Sequence, residues 1–175
     1  RRALLQNHPK HLAVLNAVAE KAGWGTPLPA GVHRGIAQFM GYGSYSAAVA
    51  EVSVSDQGKL KVHRMVLALN CGHAVNPDQI AAQVEGSVAY GLTATLYGEC
   101  TVDKGRIVEQ NFDTYRIMRI DEMPKVETVI VPSYDFWGGV GEPTICVVAP
   151  SVLNAIYAAT GKPVRSLPLK NAKLV

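Results

Sequence analysis

Asn76–Tyr97, NPDQIAAQVEGSVAYGLTATLY, is the best-defined element of the sequence. Its first residues have the pattern of a helix N-terminus. Asn76 suits the N-cap, Pro77 suits the first helical position, and Gln79 stands where a capping box has Glu or Gln. Apolar residues then recur at steps of four along one face: Ile80, Val84, Val88, Leu92 and Leu96. This pattern predicts an amphipathic helix over residues 77–97.

Strand-like segments lie on both sides of this helix. We predict strands at 32–41, 44–54 and 60–69, with turn residues at 56–58, and after the helix a short hairpin at 100–108, an irregular stretch at 109–124 and a strand at 125–131. Further helices are predicted at 3–22 and at about 150–160. Hairpins mixed with helices favour an α+β fold, a mixed or antiparallel sheet with packed helices, over a doubly wound parallel sheet. We treat residues 1–30 as a helix and connector and 31–175 as the α+β core.

Composition excludes several classes of protein. Of 175 residues, 48% are hydrophobic and 18% are charged, which predicts a folded chain with a charge-poor surface that another polypeptide could cover. The net charge of +3 is too small to indicate nucleic-acid binding. No apolar run reaches the roughly 18–20 residues of a membrane span. The sequence opens at Arg1 without a methionine, so a targeting segment would lie upstream and the compartment cannot be read.

The cysteines and histidines do not form a recognisable metal site. Cys71, Cys100 and Cys146 are odd in number and widely spaced, which predicts reduced, buried thiols. His8 and His11 share a helix face but lack a third ligand. We therefore assign no metal ligand to this chain.

Glu142 is the strongest candidate for chemistry. It lies in Trp137–Pro143, WGGVGEP, the densest glycine cluster of the chain. A carboxylate beside glycines is expected on a backbone that lets another group come close. Apolar walls would raise its pKa, as a general acid or base near neutral pH requires. The alternative is a solvated glutamate in a turn.

Gln83 and the helix glycines form a second candidate site. An amide can donate and accept together, which matches the edge of a heterocycle, although a solvent-facing glutamine is equally compatible with the pattern. Gly86 and Gly91 are costly inside a helix, so we expect another backbone or a ligand to approach them.

Several motifs in a fixed order resemble the molybdenum hydroxylases of the xanthine oxidase and aldehyde oxidoreductase family, and in detail the large subunit of isoquinoline 1-oxidoreductase. The main motifs are Asn76-Pro77, Gln83–Gly86, Gly91-Leu92, Gly98-Glu99 and Gly139–Pro143. Supporting stretches are Val62–Arg64, Asn111–Tyr115 and Asn154–Gly161. The likeness runs from about Arg2 to Leu169 and corresponds to the C-terminal part of the family's molybdopterin-binding region.

The resemblance implies an oxidoreductase that hydroxylates an aldehyde or an aromatic N-heterocycle with oxygen derived from water. It implies molybdenum held by molybdopterin, in bacteria often the cytosine dinucleotide form, and iron–sulfur clusters on a small partner subunit, with a cytochrome c as a candidate electron acceptor. Residue by residue, Glu142 matches the general base of the family. Gln83, with Gly86 beside it, matches the glutamine that binds the pterin. Gly139, Val140 and Gly141 match the segment near the molybdenum.

Two departures from the family pattern affect the pocket. Asn70 stands where many relatives have aspartate before Cys-Gly, and Thr144–Cys146 replaces a proline-rich run. The upstream cofactor loops are absent, so the isolated chain is expected to hold no cofactor and to be inactive without the remainder of the large subunit. The rival hypothesis is a non-catalytic scaffold or assembly module; a hydrolase using Glu142 is weaker, because no nucleophile or ligand set accompanies it.

Overall fold

The computed structural model describes all residues, Arg1–Val175, and orders the elements as helices around one main sheet. The helices are α1 (Pro9–Lys21), α2 (Pro77–Leu96) and α3 (Ile145–Thr160). The strands are β1 (Val32–Gly41), β2 (Ser44–Val54), β3 (Leu60–Asn70), β4 (Val102–Asp103), β5 (Arg106–Ile107) and β6 (Lys125–Ile130). Short 3₁₀ helices span Arg2–Leu5, Ile120–Glu122 and Leu169–Asn171.

The main sheet is mixed and has the order β1-β2-β3-β6. β1, β2 and β3 form an antiparallel meander, in which the β2–β3 hairpin turns at the predicted residues 56–58, and β6 pairs with β3 in parallel. A parallel pair requires a crossover, and the segment between β3 and β6 supplies it with α2. The separate β4–β5 hairpin turns where Asp103–Gly105 predicted it. The prediction of an α+β fold is confirmed.

Each face of the sheet buries its own set of side chains, because successive residues of a strand point to opposite sides. α1 packs on one face through a small cluster: Val14, Val18, Ala22, Ala47, Val49, Val66 and Ala68. α2 and α3 cover the other face with the larger cluster, which contains Ile80, Val84, Val88 and Leu92 of the predicted apolar stripe. The result is three layers, with the sheet in the middle.

The α2 helix begins as its sequence predicts. The Asn76 side chain accepts a hydrogen bond from the Gln79 backbone N–H at 3.1 Å, and Pro77 occupies the first turn. Gly91 is required by close packing, since a Cβ there would lie 2.6 Å from Cβ of Val148 in α3. Gly86 is exposed and nothing in the chain lies within 4 Å of a Cβ built on it. Within this chain, the expected close approach is therefore found at Gly91, while the space beside Gly86 is open.

Two helix boundaries differ from the prediction: a proline accounts for the first, and packing that overrides a proline accounts for the second. The predicted helix at 3–22 is split, with α1 beginning at Pro9, because proline lacks an N–H donor and disfavours helical geometry in the preceding His8. α3 begins at Ile145 and runs through Pro150. An internal proline costs about 3 kcal/mol. Val147 and Val148 become fully buried, and burying a valine is worth about 1.5–3 kcal/mol, so packing outweighs the lost hydrogen bond.

The cysteine prediction is wrong for two of the three residues. All three are free thiols, but Cys71 is buried while Cys100 and Cys146 are exposed. None of the three helices has the length and apolar character needed to cross a bilayer.

Candidate functional site

The glycine-rich loop Trp137–Pro143 lies against the turn that joins β1 to β2. Tyr42 and Gly43 form this turn with φ values of 58° and 76°. The Gly139 N–H donates to the Tyr42 carbonyl at 2.7 Å, and a Cβ at Gly139 would lie 3.0 Å from the Tyr42 Cβ. A Cβ at Gly138 would overlap the Gly43 backbone. The loop glycines therefore permit close approach, as predicted, without themselves adopting positive φ.

Two buried serines hold the backbone of the loop. Ser44 Oγ donates to the Gly139 carbonyl at 2.6 Å, and Ser46 Oγ donates to the Pro143 carbonyl at 2.8 Å. Both side chains are fully buried. The sequence analysis missed these residues; the only available signal was serine at alternate positions at the start of a predicted strand. Because buried carbonyls need partners, these bonds fix the path of the loop on both sides of Glu142.

The C-terminal end of the loop is tied to α2 and α3. Thr144 Oγ1 donates to Ser87 Oγ of α2 at 2.7 Å, and both residues are buried. The Ile145 N–H donates to the Glu142 carbonyl at 3.0 Å as α3 begins. The backbone of Glu142 is thus held between the sheet and two helices.

The Glu142 side chain is exposed, so the expectation of apolar walls is wrong for the part of the site that this chain builds. Its neighbours are Tyr42 and Cys146. The negative charge of Glu142, followed by side-chain hydrogen bonding to it, raises the pKa of the Tyr42 phenol above its ordinary value. Partial shielding from water, and then the same charge, raises the pKa of the Cys146 thiol.

Gln83 lies on the outer side of α2, next to the same loop. Its side-chain oxygen is 3.8 Å from the position of a Cβ on Gly141, the residue before Glu142. Gln83 also lines a cavity of about 270 Å³ with Trp137, Gly138 and Val140 on the loop side. The structure therefore brings Gln83, Val140, Gly141 and Glu142 to one edge, with Gly139 in the same loop. Gly86 is the one predicted site residue with no neighbour there.

The residues around this cavity fit part of the predicted cofactor. The exposed amides of Gln79 and Gln83 face an apolar wall that includes Trp137 and Val140, which suits the polar edge and flat face of a heterocycle. A cavity of about 270 Å³ is smaller than the roughly 300–1,000 Å³ of pockets for drug-sized ligands. No group of three or more His, Cys, Asp or Glu side chains is placed to hold a metal. The chain thus offers one wall for such a group.

The chain matches a known protein family. The model of the family described as molybdopterin cofactor-binding domain matches residues 16–124. This range includes Gln83 and Gly86 and ends before the loop that carries Glu142.

Each of the following curated relatives matches 75% or more of this chain. Isoquinoline 1-oxidoreductase subunit beta of Brevundimonas diminuta is 32% identical over 98% of this chain and 22% of its own length. A protein named membrane-bound aldehyde dehydrogenase [pyrroloquinoline-quinone], from Gluconacetobacter polyoxogenes, is 31% identical over 95% of this chain and 22% of its own. The aldehyde oxidoreductase molybdenum-binding subunit PaoC of Escherichia coli K12 is 31% identical over 75% of this chain and 19% of its own length. The chain spans about a fifth of the length of these relatives.

Solved structures share the fold. Aldehyde oxidoreductase from Desulfovibrio gigas superposes with a TM-score of 0.62 and 26% identity over 73% of this chain and 15% of its own. Quinoline 2-oxidoreductase from Pseudomonas putida 86 superposes with a TM-score of 0.64 and 20% identity, over 72% of this chain and 17% of its own.

Proposed function

The chain belongs to the molybdopterin cofactor-binding domain family, and from that premise we propose that it is part of the molybdenum-cofactor-binding subunit of an oxidoreductase. The proposed reaction is hydroxylation of an aldehyde or an aromatic N-heterocycle with oxygen derived from water. The names of the relatives support both substrate classes, since one is an isoquinoline oxidoreductase and others are aldehyde oxidoreductases.

The proposed role of Gln83 is to hydrogen-bond the edge of the pterin. Its amide is exposed and offers both a donor and an acceptor beside Gly141. Gly139, Val140 and Gly141 would bring the loop close to the bound group, and the open space around Gly86 leaves room on the same helix. The cofactor, proposed to be the cytosine dinucleotide form, would supply the redox-active molybdenum. Iron–sulfur clusters on a partner subunit, with a cytochrome c as a candidate final acceptor, would remove the electrons.

The proposed role of Glu142 is general base. One observation carries this proposal: Gln83 and Glu142, far apart in the sequence, lie at one edge, with the Gln83 oxygen 3.8 Å from the Cβ position of the residue before Glu142. Buried hydrogen bonds hold the two residues after Glu142, from Ser46 to the Pro143 carbonyl and from Thr144 to the Ser87 hydroxyl. The Glu142 side chain is exposed, so its carboxylate can face a bound molecule. A fixed backbone with an accessible carboxylate is what proton transfer at a defined atom requires.

The test is Glu142→Gln in the complete enzyme. The amide cannot accept a proton, so we expect turnover to fall by about 10²- to 10⁴-fold while molybdenum per subunit stays unchanged. Glu20→Gln, at the exposed end of α1 and away from the loop, is the matched control and should retain turnover. Molybdenum and extracted pyrroloquinoline quinone are quantified in the same samples, because one relative is named for that quinone.

Unchanged turnover in Glu142→Gln would reject the base and favour the alternative, a non-catalytic scaffold or assembly module of the same fold. Pyrroloquinoline quinone without molybdenum would reject the proposed cofactor.

A further inference from the structure

Tyr42 occupies a backbone position that does not suit a tyrosine. It is the first residue of the two-residue turn between β1 and β2 and has a φ of 58°. Such turns favour glycine, asparagine or aspartate, because a bulky side chain at positive φ is strained. The strain is not offset by burial, since 59% of the side chain is exposed. A strained and exposed aromatic residue is a candidate for a functional role.

The turn that carries Tyr42 is locked to the loop that carries Glu142. The Tyr42 carbonyl accepts the Gly139 N–H at 2.7 Å, and Ser44 at the start of β2 donates to the Gly139 carbonyl at 2.6 Å. A Cβ atom built on Gly139 would lie only 3.0 Å from the Tyr42 Cβ. These contacts hold the base of the tyrosine side chain at a fixed distance from the loop.

We propose that Tyr42 is a positioning residue for Glu142: in the assembled enzyme its phenol would donate a hydrogen bond to one carboxylate oxygen and leave the other free to accept a proton. The electrostatic coupling agrees with this geometry, since Glu142 raises the pKa of Tyr42, first by its charge. Cys146 of α3 is the other titratable neighbour that responds to Glu142. The inference rests on the proposed base role of Glu142 and adds what orients it.

The activity test compares Tyr42→Phe with a matched control in the complete enzyme. Removing the hydroxyl should lower kcat by about 3- to 10-fold and change KM by less than about 2-fold, because substrate binding is not its role. Tyr134→Phe is the control, since Tyr134 has the same φ of 58° and is 79% exposed, but lies outside the β1–β2 turn. It should leave kcat unchanged.

A second variant separates positioning from folding. Tyr42→Gly relieves the strain at positive φ and should leave thermal stability unchanged or raise it, while kcat falls at least as far as in Tyr42→Phe. A purely structural tyrosine would show the opposite: lower stability in Tyr42→Gly and no effect of Tyr42→Phe.

A spectroscopic measurement tests the contact without turnover. The difference between the alkaline ultraviolet titrations of the parent subunit and Tyr42→Phe isolates the ionisation of Tyr42. In the Glu142→Gln background this ionisation should move to lower pH, because the charge that raises the pKa of Tyr42 is gone.

The outcomes distinguish the two proposals. If Glu142→Gln abolishes turnover while Tyr42→Phe retains full kcat, or if the Tyr42 titration does not move, the positioning role is rejected and the base stands. If Glu142→Gln retains turnover, the base itself is rejected whatever Tyr42 does. A lowered kcat in Tyr42→Phe with a shifted titration supports both.

Discussion

Two regions of the molecule treat their charges in opposite ways. At the end of α1, the arginine network, defined here as Arg34, Glu51, Arg64 and Glu127, pairs its charges inside the chain. Arg34 Nε lies 2.9 Å from Glu51 Oε1, and Arg64 lies 3.2 Å from Glu51 Oε1 and 2.8 Å from Glu127 Oε1. Both arginines also donate to backbone carbonyls at the C-terminal end of α1, Arg64 to Lys21 and Arg34 to Gly23 just beyond the helix. The network thereby satisfies the free carbonyls at a helix end.

The glycine-rich loop shows the reverse arrangement. Ser44 and Ser46 hold its backbone by hydrogen bonds to the Gly139 and Pro143 carbonyls, but the side chains of Trp137 and Glu142 are exposed. The charged groups of the arginine network pair with one another, and the network joins α1 to the sheet. The hydrogen bonds of the loop instead fix its backbone, and its exposed side chains point outward, as in a binding surface.

The largest expected effect concerns metal content. If the loop is one wall of a site, the isolated chain, shown to be folded by circular dichroism, should carry no stoichiometric molybdenum, whereas the assembled subunit should carry it. The physical reason is that a cavity of about 270 Å³ supplies too few contacts for the whole cofactor. Metal analysis of both samples checks this, and tightly bound cofactor on the isolated chain would contradict it.

The next effect concerns the arginine network. Arg64→Ala removes a partner from both Glu51 and Glu127, which are mostly shielded from water, so we expect the free energy of unfolding to fall by about 1–3 kcal/mol. Urea denaturation measures it. Arg106→Ala, on the exposed β5 strand, is the control and should stay within about 0.5 kcal/mol. Equal effects of the two variants would contradict a special role for the network.

The smallest effect is an acid dependence of stability. Hydrogen bonds from Arg64 and then Lys125 lower the pKa of Glu127 from 4.5 to about 2. A carboxyl whose pKa is lower in the folded than in the unfolded state stabilises the fold above pH 4.5, and this stabilisation is lost as the pH falls from 4.5 through about 2. Urea denaturation across this range should show a shallower loss in Glu127→Gln. An unchanged pH profile in that variant would exclude Glu127 as the cause.

Local signals account for the features that the sequence predicted correctly. The start of α2 depends on Asn76, Pro77 and Gln79, which lie within four residues of each other, and the structure has the predicted cap. The bounds of β1 and β2 are also as predicted, because apolar patterning and turn residues act over short distances. Packing decided the start of α3, where the burial of Val147 and Val148 overrides Pro150.

The candidate site likewise combines features that local sequence predicted with features that only packing decided. Glycine flanking Glu142 indicated close approach, and the resemblance singled out Gln83, but neither signal could identify the partners of the loop. Gly35 is an example of what was missed, since a Cβ there would overlap the α3 backbone at Ala155. Such a contact depends on how a strand and a distant helix dock, which leaves no local pattern.

The sequence by itself determined the order of the helices and strands, the cap of α2, and membership of the molybdopterin cofactor-binding family, because capping, periodicity and ordered motifs depend on residues that are close along the chain. Only the tertiary structure decided that the Tyr42 turn lies against the loop of Glu142, that Ser44 and Ser46 hold this loop, and that Gln83 lies beside Gly141. These pairs are distant in the chain, and they meet because the sheet, α2 and α3 bury a common core that fixes the loop against the β1–β2 turn.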